Sequence, residues 1–239
     1  MIKFAGEKPV VFEILLIIAS FLLSLIFMLP FQAIIGCPTE PAGAMGRIIV
    51  AIILFLVFIR GFKLKKQFSG FILMLPSLLF ALWNVINCFI TGGEIAAPDV
   101  EVFILGLAPG FFEEVVFRSV FINNMKAKGM KPLTMMLLSG VIFGLLHITN
   151  AVAQPLPQVL LQMCYSMMVG MILAAIYIRS ADLASIIIAH SAIDITNRIF
   201  LGGQNTNTPA FAFLLFGAML VAETVYAFYL VTRSKADTN

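Results

Sequence analysis

Charged residues are scarce in this sequence. Lysine, arginine, aspartate and glutamate make up 11% of the 239 residues, whereas hydrophobic residues make up 61%. Soluble domains carry about 25% charged residues, and the mean hydropathy of this chain is +1.05. This balance excludes an ordinary soluble domain and indicates an integral membrane protein.

Several signatures of other protein classes are also missing. Cys37, Cys88 and Cys164 are isolated and form no CxxC pair, which excludes a disulfide framework and a zinc ribbon. The sequence contains no HExxH motif and no basic cluster with interleaved aromatic residues. We therefore predict no nucleic-acid partner.

Long apolar runs predict an all-α fold, a polytopic membrane helix bundle. A span needs about 20 apolar residues, and eight runs approach that length. We expect one integral membrane domain over residues 1–239, multi-pass in the cell membrane and surrounded by membrane lipids. The predicted transmembrane helices cover residues 10–35, 44–60, 68–90, 102–123, 132–151, 157–179, 183–201 and 209–232.

Basic residues alternate between the predicted loops. They precede the first run and follow the second, fourth, sixth and eighth runs. Because cytoplasmic loops are enriched in lysine and arginine, this alternation predicts cytoplasmic N- and C-termini. The residues concerned are Lys3, Lys8, Arg60, Lys63, Lys65, Lys66, Lys126, Lys128, Lys131, Arg179, Arg233 and Lys235.

A group of charges interrupts the fourth apolar run. Glu113, Glu114 and Arg118 lie in the stretch 110–118. A charge at the membrane centre costs about 2.5–3.5 kcal/mol on insertion scales and by default marks a functional site. The two histidines of the chain, His147 and His190, also lie in apolar runs. We expect these residues to share one site.

Helical spacing pairs some of these side chains. Residues four apart share a helix face, whereas immediate neighbours point about 100° apart. The spacing predicts an ion pair between Glu114 and Arg118 and leaves Glu113 on another face. It also places Asp194 beside His190, although Arg198 four residues later offers Asp194 another partner.

Two imidazoles and two carboxylates in a semi-dry cavity suit hydrolysis. A glutamate can take a proton from water while a histidine positions that water. Hydrogen-bond donors can then stabilise the oxyanion. An alternative is that Glu113, His147 and His190, with Asp194 as a further ligand, hold a divalent metal such as zinc that generates hydroxide. No cofactor is certain from the sequence.

Three ordered motifs resemble those of a known family. Residues 113–118 fit EExxxR, residues 143–147 fit FxxxH, and residues 190–194 fit HxxxN/D. This trio resembles the CPBP or Abi family of intramembrane proteases, which includes the CAAX prenyl endopeptidase and proteins linked to bacteriocin maturation or self-immunity. The resemblance covers a catalytic core of about residues 100–200.

The resemblance implies a role for each matched residue. Glu113 is the general base, assisted by His147, while His190 and residue 194 stabilise the oxyanion. Glu114 and Arg118 are the supporting pair. Phe143 belongs to the second motif and is expected either to wall the pocket or to pack in the core. The prenyl endopeptidase has Asn where this chain has Asp194, and an ionised carboxylate cannot donate a hydrogen bond.

The leading functional prediction is an intramembrane endopeptidase acting on a membrane-associated or lipid-modified peptide. The resemblance leaves both a glutamate mechanism and a metalloendopeptidase mechanism open. One alternative is a catalytically silent scaffold or bacteriocin-immunity protein of the same fold. A proton-coupled transporter is a third, because glutamate and histidine chains also relay protons.

Overall fold

The computed structural model describes residues 8–58, 68–201 and 209–233. The described chain is almost entirely helical. In lipid, backbone hydrogen bonds must be made within the segment, and apolar helices meet this condition. The predicted all-α fold is therefore confirmed for these residues.

The helices follow the predicted apolar runs closely. We number them α1 to α10, with two short strands, β1 and β2, and two non-α helical segments. In chain order these are α1 (Pro9–Ile35), α2 (Thr39–Phe58), α3 (Phe71–Met74), α4 (Leu78–Thr91), β1 (Glu94–Ile95), α5 (Val100–Glu114), a π-helix (Val115–Ile122), α6 (Asn123–Ala127), α7 (Pro132–Leu146), a 3₁₀-helix (His147–Val152), α8 (Leu156–Ser180), α9 (Leu183–Ile199), β2 (Phe200–Leu201) and α10 (Ala210–Arg233).

Six helical segments in the described residues are long and apolar enough to cross a membrane. They are Val10–Ile35, Thr39–Phe58, Phe71–Thr91, Pro132–Val152, Leu156–Ser180 and Ala210–Arg233. The chain is thus a multi-pass membrane protein. The other two predicted spans, 102–123 and 183–201, are also helical, as the α5 and π-helical stretch and as α9. The predicted total of eight crossings stays a prediction. The cytoplasmic position of the termini also stays a prediction, and residues 1–7 and 234–239 lie outside the described residues.

The third predicted span contains a break. Proline has no N–H to donate, so Pro76 weakens the helix locally, and α3 ends at Met74 while α4 begins at Leu78. The Ser77 hydroxyl donates to the Met74 carbonyl at 2.6 Å across this break. Farther along α4, the Asn84 amide donates to the Ile193 carbonyl and to Thr196 Oγ1, both at 3.0 Å, so α4 is hydrogen-bonded to α9.

The π-helix is the feature that the sequence did not reveal. It begins immediately after Glu114 and continues for eight residues, all of them buried. A π-helix bonds i to i+5, is rare, and occurs frequently at functional sites. Here five of its residues belong to the main cluster of buried hydrophobic side chains, and it carries Arg118.

Glycines let the site-bearing helices approach closely. A Cβ atom at Gly110 of α5 would lie 2.5 Å from Ser191 Oγ and 3.0 Å from the Ser191 backbone nitrogen on α9. Small residues allow such backbone approach between membrane helices. Gly110 therefore sets the spacing between the helix that carries Glu113 and Glu114 and the helix that carries His190.

The N-terminus of α9 is fixed by a buried carboxylate. Asp182 Oδ1 accepts from the Ser185 backbone N–H at 3.1 Å, and Oδ2 accepts from the Ser185 hydroxyl at 2.7 Å and from the Gly70 N–H at 2.8 Å. Burial alone would raise the pKa of Asp182, but these hydrogen bonds hold it below its ordinary value. The cap joins the start of α9 to the turn before α3.

Candidate active site

The four predicted catalytic residues line one cavity. Glu113, His147, His190 and Asp194 surround a space of about 570 Å³, which is within the range of about 300–1,000 Å³ typical of small-ligand sites. Phe143 also lines this space, whereas Glu114 and Arg118 lie behind the wall with no exposed surface. The three motifs, far apart in sequence, therefore meet at one place.

Glu114 contacts the side chains of both Arg118 and His190. Its Oε2 lies 3.1 Å from Arg118 Nε, and its Oε1 lies 2.7 Å from His190 Nδ1. The spacing predicted the contact with Arg118 but not the contact with His190. Arg118 Nη2 also donates to the Gly170 carbonyl of α8 at 3.1 Å. Glu114 thus links the π-helix to α9, and Arg118 extends that link to α8.

The other nitrogen of His190 faces two carboxylates. Nε2 lies 3.7 Å from Glu113 Oε2 and 3.7 Å from Asp194 Oδ2. Both distances exceed those of a direct hydrogen bond, and they leave room for a bridging group. The His190 side chain is 7% exposed, compared with 17% for Glu113 and 29% for Asp194. The imidazole edge therefore forms the inner wall of the cavity and the two carboxylates form its more open sides.

His147 is oriented by the backbone. It is the first residue of the 3₁₀-helix that follows α7, and its Nδ1 lies 3.0 Å from the Phe143 carbonyl oxygen. A carbonyl oxygen only accepts, so Nδ1 carries the hydrogen and Nε2 of the neutral ring is left as an acceptor. The two histidines are consequently held by different partners, a neutral carbonyl and a carboxylate.

Phe143 contacts both histidines. Its ring centroid is 5.2 Å from that of His147 and 5.8 Å from that of His190, each in an edge-to-face arrangement. The Arg118 guanidinium lies 4.9 Å from the same centroid, a cation–π distance. Phe143 is thus both core and cavity wall, which unites the two predicted alternatives.

Arg198 forms an ion pair with a residue other than Asp194. Its Nη1 lies 3.4 Å from Glu40 Oε2 on α2, and Asp194 makes its close contact with His190 instead. The carboxylate at position 194 therefore remains directed at the imidazole.

Sequence reasoning missed several polar residues that line the same cavity. Asn150 donates to Gln162 Oε1 at 2.9 Å, and Arg47 and Asn197 also line the space. The sequence feature that points to this wall is Arg47, because it is a cation within an apolar run.

A second cavity of about 340 Å³ adjoins the first. His147, His190 and Asp194 line both spaces, while the second space is otherwise mainly aromatic and apolar. Its distinctive lining residues are Phe80, Trp83, Leu161, Tyr165, Phe213 and Phe216. The candidate catalytic groups therefore stand between a polar chamber and an aromatic chamber.

The donor arrangement does not fit a metal ion. Among residues 8–58, 68–201 and 209–233, no group of three or more His, Cys, Asp or Glu side chains is disposed to hold one. Glu113, His147 and His190, the set considered for zinc, share the cavity without forming such a group. We derive no chemical step through a metal.

Comparison with known proteins supports the motif assignment. No curated protein and no solved structure matches the chain significantly. Residues 95–196, however, match the family model described as "Type II CAAX prenyl endopeptidase Rce1-like". This segment contains all three motifs and every predicted catalytic residue. The resemblance is confirmed for this segment, which is similar to the CPBP or CAAX-protease family.

Proposed function

We propose that the protein is an intramembrane endopeptidase that hydrolyses a peptide bond of a membrane-associated or lipid-modified peptide. The observation that carries this proposal is the convergence of Glu113, His147, His190 and Asp194 on one cavity. The family match implies a protease of the CAAX type.

Glu113 is the general base of the proposed reaction. Its carboxylate faces the cavity, and neither Arg118 nor another lysine or arginine forms an ion pair with it in the described part of the chain. It removes a proton from a water molecule, and the resulting hydroxide attacks the peptide carbonyl carbon. His147 positions the same water through Nε2, which its backbone contact leaves as an acceptor.

His190 stabilises the oxyanion. With Nδ1 donating to Glu114, Nε2 can donate only when the ring is an imidazolium. The carboxylates of Glu113, Glu114 and Asp194 surround the ring and favour the positive charge. Asp194 thereby orients and balances His190, a role that suits a carboxylate better than direct donation to the oxyanion.

Collapse of the tetrahedral intermediate completes the reaction. The proton held by Glu113 passes to the amide nitrogen, and the C–N bond breaks to give a carboxylic acid and an amine. No oxidant, reductant or further reactant is needed. The aromatic chamber beside His190 supports the choice of a lipid-modified or strongly apolar substrate, because it offers an apolar space next to the bond that is cleaved.

In the proposed topology the chain crosses the plasma membrane eight times, and both termini lie in the cytoplasm. The alternation of basic loops supports this arrangement. The two helices beyond the six clear spans, the α5 stretch and α9, are those that carry Glu113, His190 and Asp194. The α-helices α5 and α9, of 15 and 17 residues, are also shorter than the six clear spans.

The test is cleavage in proteoliposomes. Peptides that accumulate in a deletion strain provide the substrate, and Glu113→Ala or His147→Ala is compared with the wild type. Loss of the base should reduce turnover by about 10²- to 10⁴-fold. Glu101→Ala, an exposed acid in the first turn of the same helix, is the matched control. Unchanged cleavage by either site variant would refute the proposal.

A further inference from the structure

An arginine in the wall of the polar chamber has no assigned role. Arg47 lies eight residues into α2, about 12 Å along the helix axis, within one of the six clear spans. A cation at such depth costs about 2.5–3.5 kcal/mol on insertion scales and normally faces a partner or a functional cavity. Arg47 is half-buried and lines the cavity of the candidate active site.

Arg47 forms no ion pair and no hydrogen bond with any residue in the ranges that the structure describes. It influences Asp194 electrostatically, yet Asp194 makes its close contact with His190 Nε2. The second arginine of this wall, Arg198, lies against Glu40. The chamber therefore presents one guanidinium whose hydrogen-bonding capacity is unused.

We propose that Arg47 is a positioning residue that binds the C-terminal carboxylate of the substrate. This inference rests on the proposed endopeptidase function. A guanidinium offers a planar fork that matches a carboxylate and binds it bidentately. A peptide anchored by its terminal carboxylate in the polar chamber would pass His190 and Asp194, which line both chambers. An apolar group of the peptide would then lie in the aromatic chamber.

The consequence is a restriction on where the enzyme cuts. Because the anchor and the candidate catalytic groups line a single cavity of about 570 Å³, only a bond a few residues from the C-terminus can reach Glu113 and His190. Arg47 lies outside the family-matched segment 95–196, so this contact is a feature of the chain's own α2.

The experiment compares two substrates and several variants. A fluorescent prenylated CAAX tetrapeptide with a free C-terminal carboxylate and the same peptide with a C-terminal amide are assayed with the wild type, Arg47→Gln, Arg47→Lys and Arg198→Gln. The wild type should prefer the free acid by about 10- to 100-fold in kcat/KM, as expected for a charge-assisted hydrogen-bonding pair. Arg47→Gln should lose this preference, because its kcat/KM should fall much more on the free acid than on the amide.

The control variants define specificity. Arg47→Lys should keep part of the preference, because the charge remains while the fork is lost. Arg198→Gln should keep all of it. Equal losses on the acid and the amide in Arg47→Gln, or loss of the preference in Arg198→Gln, would overturn the assignment.

Two further measurements distinguish failure of the Arg47 assignment from failure of the proposed endopeptidase function. Binding of both peptides to Glu113→Gln requires no turnover, so selective binding of the acid that depends on Arg47 supports the anchor even where cleavage fails. If Glu113→Gln binds the acid and the amide equally well, the assignment of Arg47 is overturned. The assay is repeated in phosphatidylcholine vesicles with and without phosphatidylglycerol. An Arg47-dependent requirement for phosphatidylglycerol, with no preference between the peptides, would assign the arginine to a lipid phosphate and overturn the proposal.

Discussion

Glu114 lies between Arg118 and His190, with one carboxylate oxygen 3.1 Å from Arg118 Nε and the other 2.7 Å from His190 Nδ1. Both Glu114 and Arg118 are fully buried. The supporting pair of the first motif is therefore also the orienting group for the histidine of the third motif. Stability and the proposed catalysis are therefore both expected to depend on this carboxylate.

Glu114→Ala should destabilise the protein strongly. Removal of one partner leaves Arg118 as an uncompensated buried charge, which costs about 3–5 kcal/mol. The double variant Glu114→Gln with Arg118→Met removes both charges and should recover a monodisperse, folded protein. Its cleavage activity should stay low, because His190 loses its carboxylate. Cleavage by the double variant at the wild-type rate would contradict the orienting role.

Gly110→Ala should separate the two halves of the site. The added methyl would lie 2.5 Å from Ser191 Oγ, and overpacking of this kind costs about 1–3 kcal/mol. A displacement of about 1 Å between α5 and α9 can lower turnover about 100-fold. The control is Gly217→Ala, where nothing lies within 4 Å of the new Cβ. Thermal unfolding in detergent and peptide cleavage are measured for both, and equal behaviour would exclude the close approach.

Asp194→Asn should retain activity and Asp194→Ala should lose it. The amide can still contact His190 and gains a donor for the oxyanion, which matches the residue at this place in the prenyl endopeptidase. Alanine removes the contact altogether, and loss of one stabilising group costs about 10²- to 10³-fold in turnover. Cleavage rates in proteoliposomes decide the matter. If the two variants lose activity equally, the charge of Asp194 is what the site requires.

Asp182→Asn should show a stability defect that depends on pH. The pKa of Asp182 lies below its ordinary value in the folded protein, so its contribution to the free energy of unfolding is complete above about pH 4. That contribution is lost as the pH falls through the folded-state pKa. Hydrogen bonds to a charged group are worth about 1.5–3 kcal/mol, so Tm at pH 7 should be lower in the variant.

The difference in Tm between the wild type and Asp182→Asn should narrow as the pH falls below about 4, where the stabilising contribution of the ionised carboxylate begins to be lost. Asp99→Asn is the matched control, because Asp99 caps α5 through Val102 N–H at 2.9 Å but is exposed. It should change Tm little at either pH. A difference for Asp182→Asn that stays constant from pH 7 to pH 3 would contradict the ionised cap.

Chelators should leave cleavage unchanged. The proposed mechanism uses Glu113 as the base, and the described side chains do not assemble a metal-binding group. Elemental analysis of the purified protein is combined with assays in EDTA and in 1,10-phenanthroline. Stoichiometric zinc that must be present for activity would replace the glutamate mechanism with a metal-dependent one.

The sequence predicted the parts of the site that depend on local order. Apolar runs gave the helices to within a few residues, apart from α2, which begins at Thr39 rather than near residue 44. Spacing by four predicted the contact of Glu114 with Arg118, and the ordered motifs predicted which residues face one cavity. These features depend on helix geometry and on the free-energy cost of burying charged groups, both of which can be inferred from the linear sequence.

The features that escaped prediction depend on packing between distant segments. The contact of Glu114 with His190 joins residues 76 positions apart, and the Asp182 cap reaches 112 positions back to Gly70. The π-helix has no composition that separates it from an apolar α-helix.

The π-helix also makes the chain sensitive to its own length. An α-helix turns by about 100° per residue, so removal of a single residue from Val115–Ile122 that restored ordinary i to i+4 bonding would rotate everything on one side of the deletion relative to the other. A deletion between Glu114 and Arg118 would also change the spacing of that ion pair. The number of residues in this buried segment therefore fixes how the helices on its two sides are oriented relative to each other.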